Sequence, residues 1–599
     1  MIRSRPSENG RFLATVMTSP WVKLLSRTTG ARDGNHAVVF RGYIANRGSI
    51  VVACGLEPGD VRRTDAELFL AAFTTWGASL QRHVTGEYCG VAVCERDGTC
   101  ILTTDALGLR PLFYAELEGH LHVSSHLDTL VDAVGGGPLS DEFIADHLTM
   151  SRHFGGRTIY ERIRRLEPGR PLALRTGRMI ECRGWHPNDI PSVRLTSDAA
   201  YAERFRQLLD EGVARASGDR TWCELSGGLD SSAIYCSARG LGVAGLEAIS
   251  IVYSRSTSAD ESPWMRDVIE SGSPDEYARW HQLDEDVETP FSAPPHRALA
   301  CPLDAALSWR LLRRYESKVI AGNADVVLSG MGGDQSLYAG GTRPLFLADD
   351  LRAGRLLRVA RESSRWGRSH LMNRSARYVF VENAWRPLMN YRRGVRVTER
   401  QARHAYCPWL APDFVSRMNL AARRTASRGA RCRSVLDQYV LEDLQVVSYS
   451  MDQHWNQVVD SFEMRFPLLY RPLVEFMFGI PLEQKMRAGD DRVLQRRALV
   501  GLLPERVRTR QDKRGPDQAF FEGLLRNSHV LDLLLDRPAL VERGYVDGKV
   551  WADVVRAARF AAVPRFSTFF ATVTLELWFK QDEWRELSEK LGKAGTLSC

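Results

Sequence analysis

Short apolar runs separated by Gly and Asp dominate the first 190 residues. Residues 37–40 (AVVF), 90–93 (GVAV) and 100–103 (CILT) are of strand length and lie between turn residues, which predicts a sheet-rich domain. One helix is predicted among them over 64–76, where Thr64 can cap and Glu67 completes a capping box. The segment 184–192 (GWHPNDIPS) is mostly polar, carries two prolines and predicts a linker. From Asp198 onward the period changes. Helical stretches alternate with short buried runs at 221–225, 246–253 and 325–329, and that alternation predicts a parallel, doubly wound sheet with ligand sites at the carboxyl ends of its strands. The expected organisation is α/β, divided into residues 1–190 and 195–599.

Two of these strand ends run into glycine loops. Residues 224–236 read ELSGGLDSSAIYC. Gly227 and Gly228 let the main chain approach a ligand, while Leu225, Ser226, Ser231 and Ser232 complete a turn whose hydroxyls and helix N–H groups suit phosphate. Asp230 would repel phosphate unless magnesium lies between carboxylate and phosphate oxygens. The second loop, 329–334 (SGMGGD), adds Ser329 and Gly330 to the nucleotide site and Asp334 as a partner for Asp230 around one magnesium. Together they predict a bound nucleoside triphosphate with its Mg2+, which the resemblance below makes ATP. The pattern is not GxxxxGK[ST], so kinase and GTPase machinery is not implied. It resembles the SGGxDSS loop of the ATP pyrophosphatases, which implies cleavage of ATP between the α and β phosphates and activation of a carbonyl as its adenylate. Val252, late in the second strand, is expected to line the adenine pocket. Asp260 and Glu261 read as the start of the next helix, where acidic residues suit the dipole.

Composition narrows the setting. Hydrophobic content of 44% and charged content of 26% are those of a globular protein, and 599 residues suit two to four domains. The net charge of +7 is almost all Arg, with only eight Lys. Residues 352–433 hold twenty Arg against Glu362, Glu382, Glu399 and Asp413, read as a solvated helical face or a patch for a peptide or protein. No nucleic-acid-binding module accompanies it. The eleven cysteines include no CxxC pair and no zinc spacing, so reduced thiols are expected. Neither an apolar leader nor an 18-residue apolar run occurs, so the expectation is a cytoplasmic protein with no membrane contact.

Eight separated motifs, four in each half of the chain, carry a more specific resemblance. The series 64–67 (TDAE), 76–77 (WG), 86–88 (GEY) and 105–114 (DALGLRPLFY) is followed by 226–232, 329–334, 463–469 (EMRFPLL) and 510–515 (RQDKRG). In this order they resemble the asparagine synthetase B family. The resemblance implies an N-terminal glutaminase-like, Ntn-type sandwich and a synthetase domain of the ATP pyrophosphatase kind. It makes Lys513 the active-site lysine that neutralises the acyl-adenylate, a compact cation aimed at developing charge.

Departures from the family narrow the function. Glutamine-dependent members carry a nucleophilic cysteine directly after the initiator Met; here that residue is Ile2, and no cysteine occurs in the first fifty residues. Residues 41–46 (RGYIAN) match the glutamine-binding pattern only in part. Met331 stands where asparagine synthetases have Glu and beta-lactam synthetases a Tyr of a Tyr–Glu pair, and Met transfers no proton. The remaining resemblance is to the lasso-peptide cyclases. It implies a precursor core peptide as substrate, adenylated on an Asp or Glu side chain and closed by its own N-terminal amine, with a leader-binding protein and a leader peptidase as partners. Beta-lactam synthesis, ammonia-dependent asparagine synthesis and a noncatalytic peptide-binding scaffold are the alternatives, the last disfavoured because Asp230, Asp334 and Lys513 are all retained.

Overall fold

The computed structural model describes residues 13–17, 23–26, 30–151, 155–175, 178–256, 259–338, 343–370, 372–397, 407–420, 430–511 and 517–596. Two antiparallel sheets form the first domain. One has the strand order β2-β1-β8-β7-β9, from β1 (Leu13–Met17), β2 (Lys23–Ser26), β7 (Phe113–Leu117), β8 (His120–Ser124) and β9 (Arg164–Arg165). The other has the order β11-β10-β6-β5-β4-β3, from β3 (Gly30–Asp33), β4 (His36–Ile44), β5 (Gly86–Cys94), β6 (Thr99–Thr104), β10 (Leu172–Arg175) and β11 (Arg178–Glu181).

Alternation along the strands explains the layers. Ala37, Val39, Cys89, Val91, Val93, Cys100 and Leu102 turn inward and meet Ala14, Val16, Leu121 and Val123 of the first sheet. Their neighbours Val38, Tyr88, Ala92 and Ile101 turn outward and are covered by Leu68, Phe69, Ala72 and Phe73 of the helix Asp65–Trp76. Burial on both faces is why these strands read as unbroken apolar runs. The covering helix starts as its sequence predicts: the Glu67 N–H donates to Thr64 Oγ1 at 3.3 Å and the Thr64 N–H to Glu67 Oε2 at 2.7 Å.

The second domain is built on five parallel strands ordered β14-β13-β12-β15-β16: β12 (Thr221–Glu224), β13 (Glu247–Val252), β14 (Trp280–Asp284), β15 (Val326–Leu328) and β16 (Glu463–Arg465). Helices Asp198–Ala216, Leu229–Gly240 and Trp309–Ala321 flank it. The order reverses at β12, whose neighbours are β13 and β15, and that switch point is where both glycine loops emerge. Among the described residues the cysteines are free thiols, mostly buried, and no helix is long and apolar enough to cross a membrane.

The segment 184–192 joins the domains but is not a free linker. Trp185 is buried and donates from Nε1 to Glu475 at 2.8 Å; Asn188 Nδ2 donates to the Arg431 carbonyl at 2.8 Å and its Oδ1 accepts from the Arg433 N–H at 2.9 Å. Its polar residues serve backbone groups of the second domain, which is why polarity there resembled a solvated tether.

The motif 105–114 is the main junction. Asp105 accepts from the N–H groups of Leu107 and Leu109, both at 2.9 Å, and this turn aims Arg110 into the second domain. There Arg110 donates to the Met464 carbonyl at 2.7 Å and to Asn456 Oδ1 at 3.3 Å, and pairs with Glu87 at 3.3 Å. Glu87 in turn accepts from the Phe466 N–H at 2.7 Å. Both side chains are 4% exposed, so cutting one leaves a buried charge unpaired. Arg110→Met should therefore lower stability by about 3–5 kcal/mol in chemical denaturation, and an unchanged midpoint would remove this junction as a stabilising contact.

Candidate active site

Strand β12 ends at Glu224, and the chain turns through Leu225–Gly228 into the helix Leu229–Gly240. The Leu225 N–H still donates to the Ile249 carbonyl at 2.9 Å, so the loop starts from the sheet itself. Gly227 has φ +68°, and a Cβ there would lie 2.8 Å from Trp264 Cβ, so both backbone angle and space demand glycine. Gly228 is the N-cap of the helix. Ser226 and Ser231 join hydroxyls at 2.9 Å and close the turn. Ser232 sits one residue deeper, fully buried, and among the described residues its hydroxyl has no hydrogen-bond partner.

The second loop leaves β15 at Ser329, whose N–H donates to the Arg465 carbonyl at the end of β16 at 2.9 Å. Its glycines allow the two loops to touch. A Cβ on Gly330 would lie 2.9 Å from the Ser231 nitrogen, and one on Gly333 would lie 2.7 Å from Asp230 Cγ. Asp230 and Asp334 are thus brought to one place, and a single guanidinium spans them. Arg492 Nη1 donates to Asp230 Oδ1 at 2.5 Å and its Nη2 donates to Asp334 Oδ1. Gln495 Nε2 adds a bond to Asp230 Oδ1 at 2.8 Å. Arg492 takes the left-handed conformation, φ 51°, as N-cap of the helix Val493–Ala498, a strained placement for a side-chain-bearing residue at a functional position.

These residues fit a magnesium nucleotide. Among the described residues no cluster of three or more His, Cys, Asp or Glu could hold a metal by itself. Two carboxylates at the mouth of a phosphate loop suit magnesium, which keeps water and takes its remaining ligands from phosphates. Asp230 and Asp334 are the residues that would hold it.

Between and beyond the loops lies a cavity of about 710 Å³. Ile249, Ile251 and Tyr253 form one wall, and Val447, Ser450, His454 and Trp455 another. The last two stand on a π-helical turn, Asp452–Asn456, that interrupts the end of the helix Val435–Met451 and re-aims its side chains. Strand side chains alternate, so with Ile251 and Tyr253 facing the cavity Val252 faces the other way and packs on the sheet's core. Met331 does line the cavity. Lys513 lies outside the described residues.

Several site residues escaped the motif reading. Arg492 and Gln495 sit far from either loop in sequence, with nothing to mark them. Arg510, the first residue of the 510–515 motif, pairs with Glu261 and stacks over Trp264 at 3.9 Å. Glu224 had a signal, a charge inside a buried strand. Its Oε2 accepts from Ser329 Oγ and its Oε1 from the Tyr315 hydroxyl at 3.4 Å. Burial raises the Glu224 carboxyl above the ordinary carboxylate range, with the two hydroxyls acting against that shift.

In the first domain, residues 41–46 cross from the end of β4 toward the second domain. Arg41 stands beside Arg110, Cys89, Asp460 and Glu463, and burial together with the Arg110 charge lowers its pKa. Tyr43 donates to Glu87 at 3.4 Å and lies under the Arg465 guanidinium at 4.2 Å. This strand end packs against charged residues of the second domain.

A two-sheet amidotransferase-type domain in front of a parallel sheet with paired Gly/Asp loops at its switch point defines an ATP pyrophosphatase-type synthetase. The family model for asparagine synthase matches residues 204–580 and that for a glutamine amidotransferase domain matches 29–185. The chain belongs to the asparagine synthase family, ATP-dependent, AMP-forming enzymes that make amide bonds. Asparagine synthetase [glutamine-hydrolyzing] 3 of Bacillus subtilis (strain 168) is 24% identical over 510 residues, 80% of this chain and 74% of that protein. Asparagine synthetase [glutamine-hydrolyzing] 1 of the same organism is 21% identical over 480 residues, 75% and 70% of the two chains. Amidase chyE of Penicillium rubens is 26% identical over 181 residues, 29% of this chain and 26% of that protein.

Asp230→Ala and Asp334→Ala should each cut AMP formation by ~100-fold or more, since a metal clamp contributes several kcal/mol to such a transition state. Circular dichroism should show the fold retained. Turnover persisting in either variant would rule out a shared metal.

Proposed function

We propose that this enzyme is a peptide cyclase of the lasso type. It adenylates an Asp or Glu side chain of a precursor core peptide and joins it to the peptide's own N-terminal amine, releasing AMP and pyrophosphate. The observation that carries the reading is Met331: it lines the cavity in the second loop, at the position where the resemblance expects an acid or a Tyr, and it moves no proton. Arg41 and Tyr43 support it from the first domain, where the segment expected to bind glutamine is buried against second-domain charges, Tyr43 under the Arg465 guanidinium and Arg41 near Asp460 and Glu463. An amine brought by the substrate then replaces ammonia. Its pKa of about 7.7–8.0 leaves a useful neutral fraction near pH 7, so holding amine and acyl carbon together counts for more than a strong base.

The aromatic and apolar walls from Tyr253, Tyr315, Val447 and Trp455 suit a folded peptide. ATP is taken with Mg2+ at Asp230 and Asp334, with the phosphates on the loop 225–232 and at Ser329 and Gly330, while Lys513 neutralises the adenylate. The chain works in the cytoplasm beside a leader-binding protein and a leader peptidase that deliver the core peptide.

A leader-free core peptide with a free N-terminus and an Asp or Glu several residues inward should lose one water with ATP and magnesium, forming AMP in step. Acetylating the N-terminus, or Lys513→Ala, should stop ring closure. Conversion of free aspartate and ammonia to asparagine, or closure of a carboxyethyl amino acid to a beta-lactam, would overturn the cyclase reading.

Glutamine should yield no glutamate and leave the rate unchanged. Glutamate release, followed by a coupled assay, would restore a working first domain.

A further inference from the structure

Almost every carboxylate lining the cavity is held by a cation. Asp230 and Asp334 share Arg492, Glu261 pairs with Arg510, and Asp491 pairs with Arg496 at 3.1 Å. Glu224 is the exception. Among the described residues its side-chain partners are two neutral hydroxyls, Ser329 Oγ and the Tyr315 hydroxyl, and no basic group reaches it. Ser329 is itself fixed by its N–H bond to Arg465, and Tyr315 is buried on the helix Trp309–Ala321, so the carboxylate is held still from two elements.

A carboxylate in such a place is costly to the fold. An apolar residue at the end of a parallel strand would be more stable than a charge with only neutral partners. Uncompensated negative charge facing a cavity is also a receptor for a cation, and near pH 7 much of a peptide's α-amine is still ammonium. We propose that Glu224 is a catalytic residue: it binds the attacking ammonium in the cavity and takes its proton, with Ser329 and Tyr315 as positioning residues. The proposal rests on the cyclase reading for the identity of the amine.

The step balances with groups already named. One proton passes from the ammonium to the Glu224 carboxylate. The freed lone pair forms the C–N bond at the acyl carbon, and the bond from that carbon to the AMP phosphate oxygen breaks with its electrons on oxygen. The second proton shed by nitrogen leaves on the phosphate of AMP, whose pKa near 6 admits it. The Glu224 proton returns to solvent as product departs. Burial holds the carboxyl above its ordinary range and so makes it a better acceptor than an exposed glutamate. His454 is the other titratable group on the facing wall, and its Nδ1 is engaged with the Ser450 carbonyl at 2.9 Å.

Two half-reactions of the full chain separate this role from a structural one. ATP–pyrophosphate exchange with the core peptide reads adenylation, and ring formation reads attack by the amine. Glu224→Gln should keep exchange within about three-fold of wild type and slow ring closure by ~100-fold or more at pH 7, the usual span for a lost general base. The gap should narrow as pH rises through the amine's own pKa of about 8. Hydroxylamine, a nucleophile already neutral at pH 7, should give hydroxamate at the wild-type rate in the variant. Exchange lost together with ring closure overturns the assignment, as does ring closure at the wild-type rate. If Glu224→Gln does not fold, Glu224→Asp, which keeps the charge but shortens its reach, is read by the same ratio. Should the wild type amidate free aspartate with ammonia instead, the cyclase reading fails, and the same split with ammonium as the amine decides Glu224 alone.

Discussion

The Arg110 guanidinium, driven across the domain boundary by a turn built on Asp105, is the contact on which the active site's geometry depends. It holds the Met464 carbonyl in the middle of β16, while Glu87 holds the Phe466 N–H just beyond it. The Arg465 carbonyl between them accepts from Ser329, the first residue of the second glycine loop. Ser329 then donates to Glu224 at the end of β12. The first domain is thus a buttress for the synthetase site, and the edge strand it grips is one hydrogen bond from the second glycine loop.

Electrostatics at the other end of the cavity follow from equally few groups. Two carboxylates on touching loops would repel each other, and the Arg492 fork resolves the repulsion with both nitrogens engaged. The same fork stands beside the place a dication would occupy. Unit charges 4 Å apart interact by about 4 kcal/mol at an effective dielectric of 20, and a dication doubles that repulsion. Phosphate oxygens between them would reverse its sign. The pair of aspartates with its arginine would therefore favour magnesium arriving with a nucleotide over magnesium alone.

What was legible in the sequence was whatever repeated a local rule. The Thr64–Glu67 box, the alternating strands and the strand–glycine–aspartate pairs state their geometry within a dozen residues, and the folded chain has them where they were expected. Relations between distant segments were not legible. Arg492 is 262 positions from Asp230 and 158 from Asp334, and no periodicity connects them. Val252 shows a different limit: position along a strand was legible but the face was not, and its side chain turns away from the cavity that Ile251 and Tyr253 line. The segment 184–192 misled because composition reports polarity but not the partner that satisfies it.

Glu224 shows how a motif can hide its own most informative residue. The loop beginning at Leu225 commands attention because its glycines and aspartate have obvious uses, and the residue before it reads as the end of a strand. Yet the flanking strand is buried, and a charge there breaks the local rule with no cation paired to it among the described residues. Such breaks concentrate where function outweighs stability. Met331 breaks the opposite way, an inert side chain in a reactive loop. The two exceptions face one cavity, and together they place proton acceptance on the strand end behind the phosphate loop, where a carboxylate held by Ser329 and Tyr315 needs only an incoming ammonium to complete it.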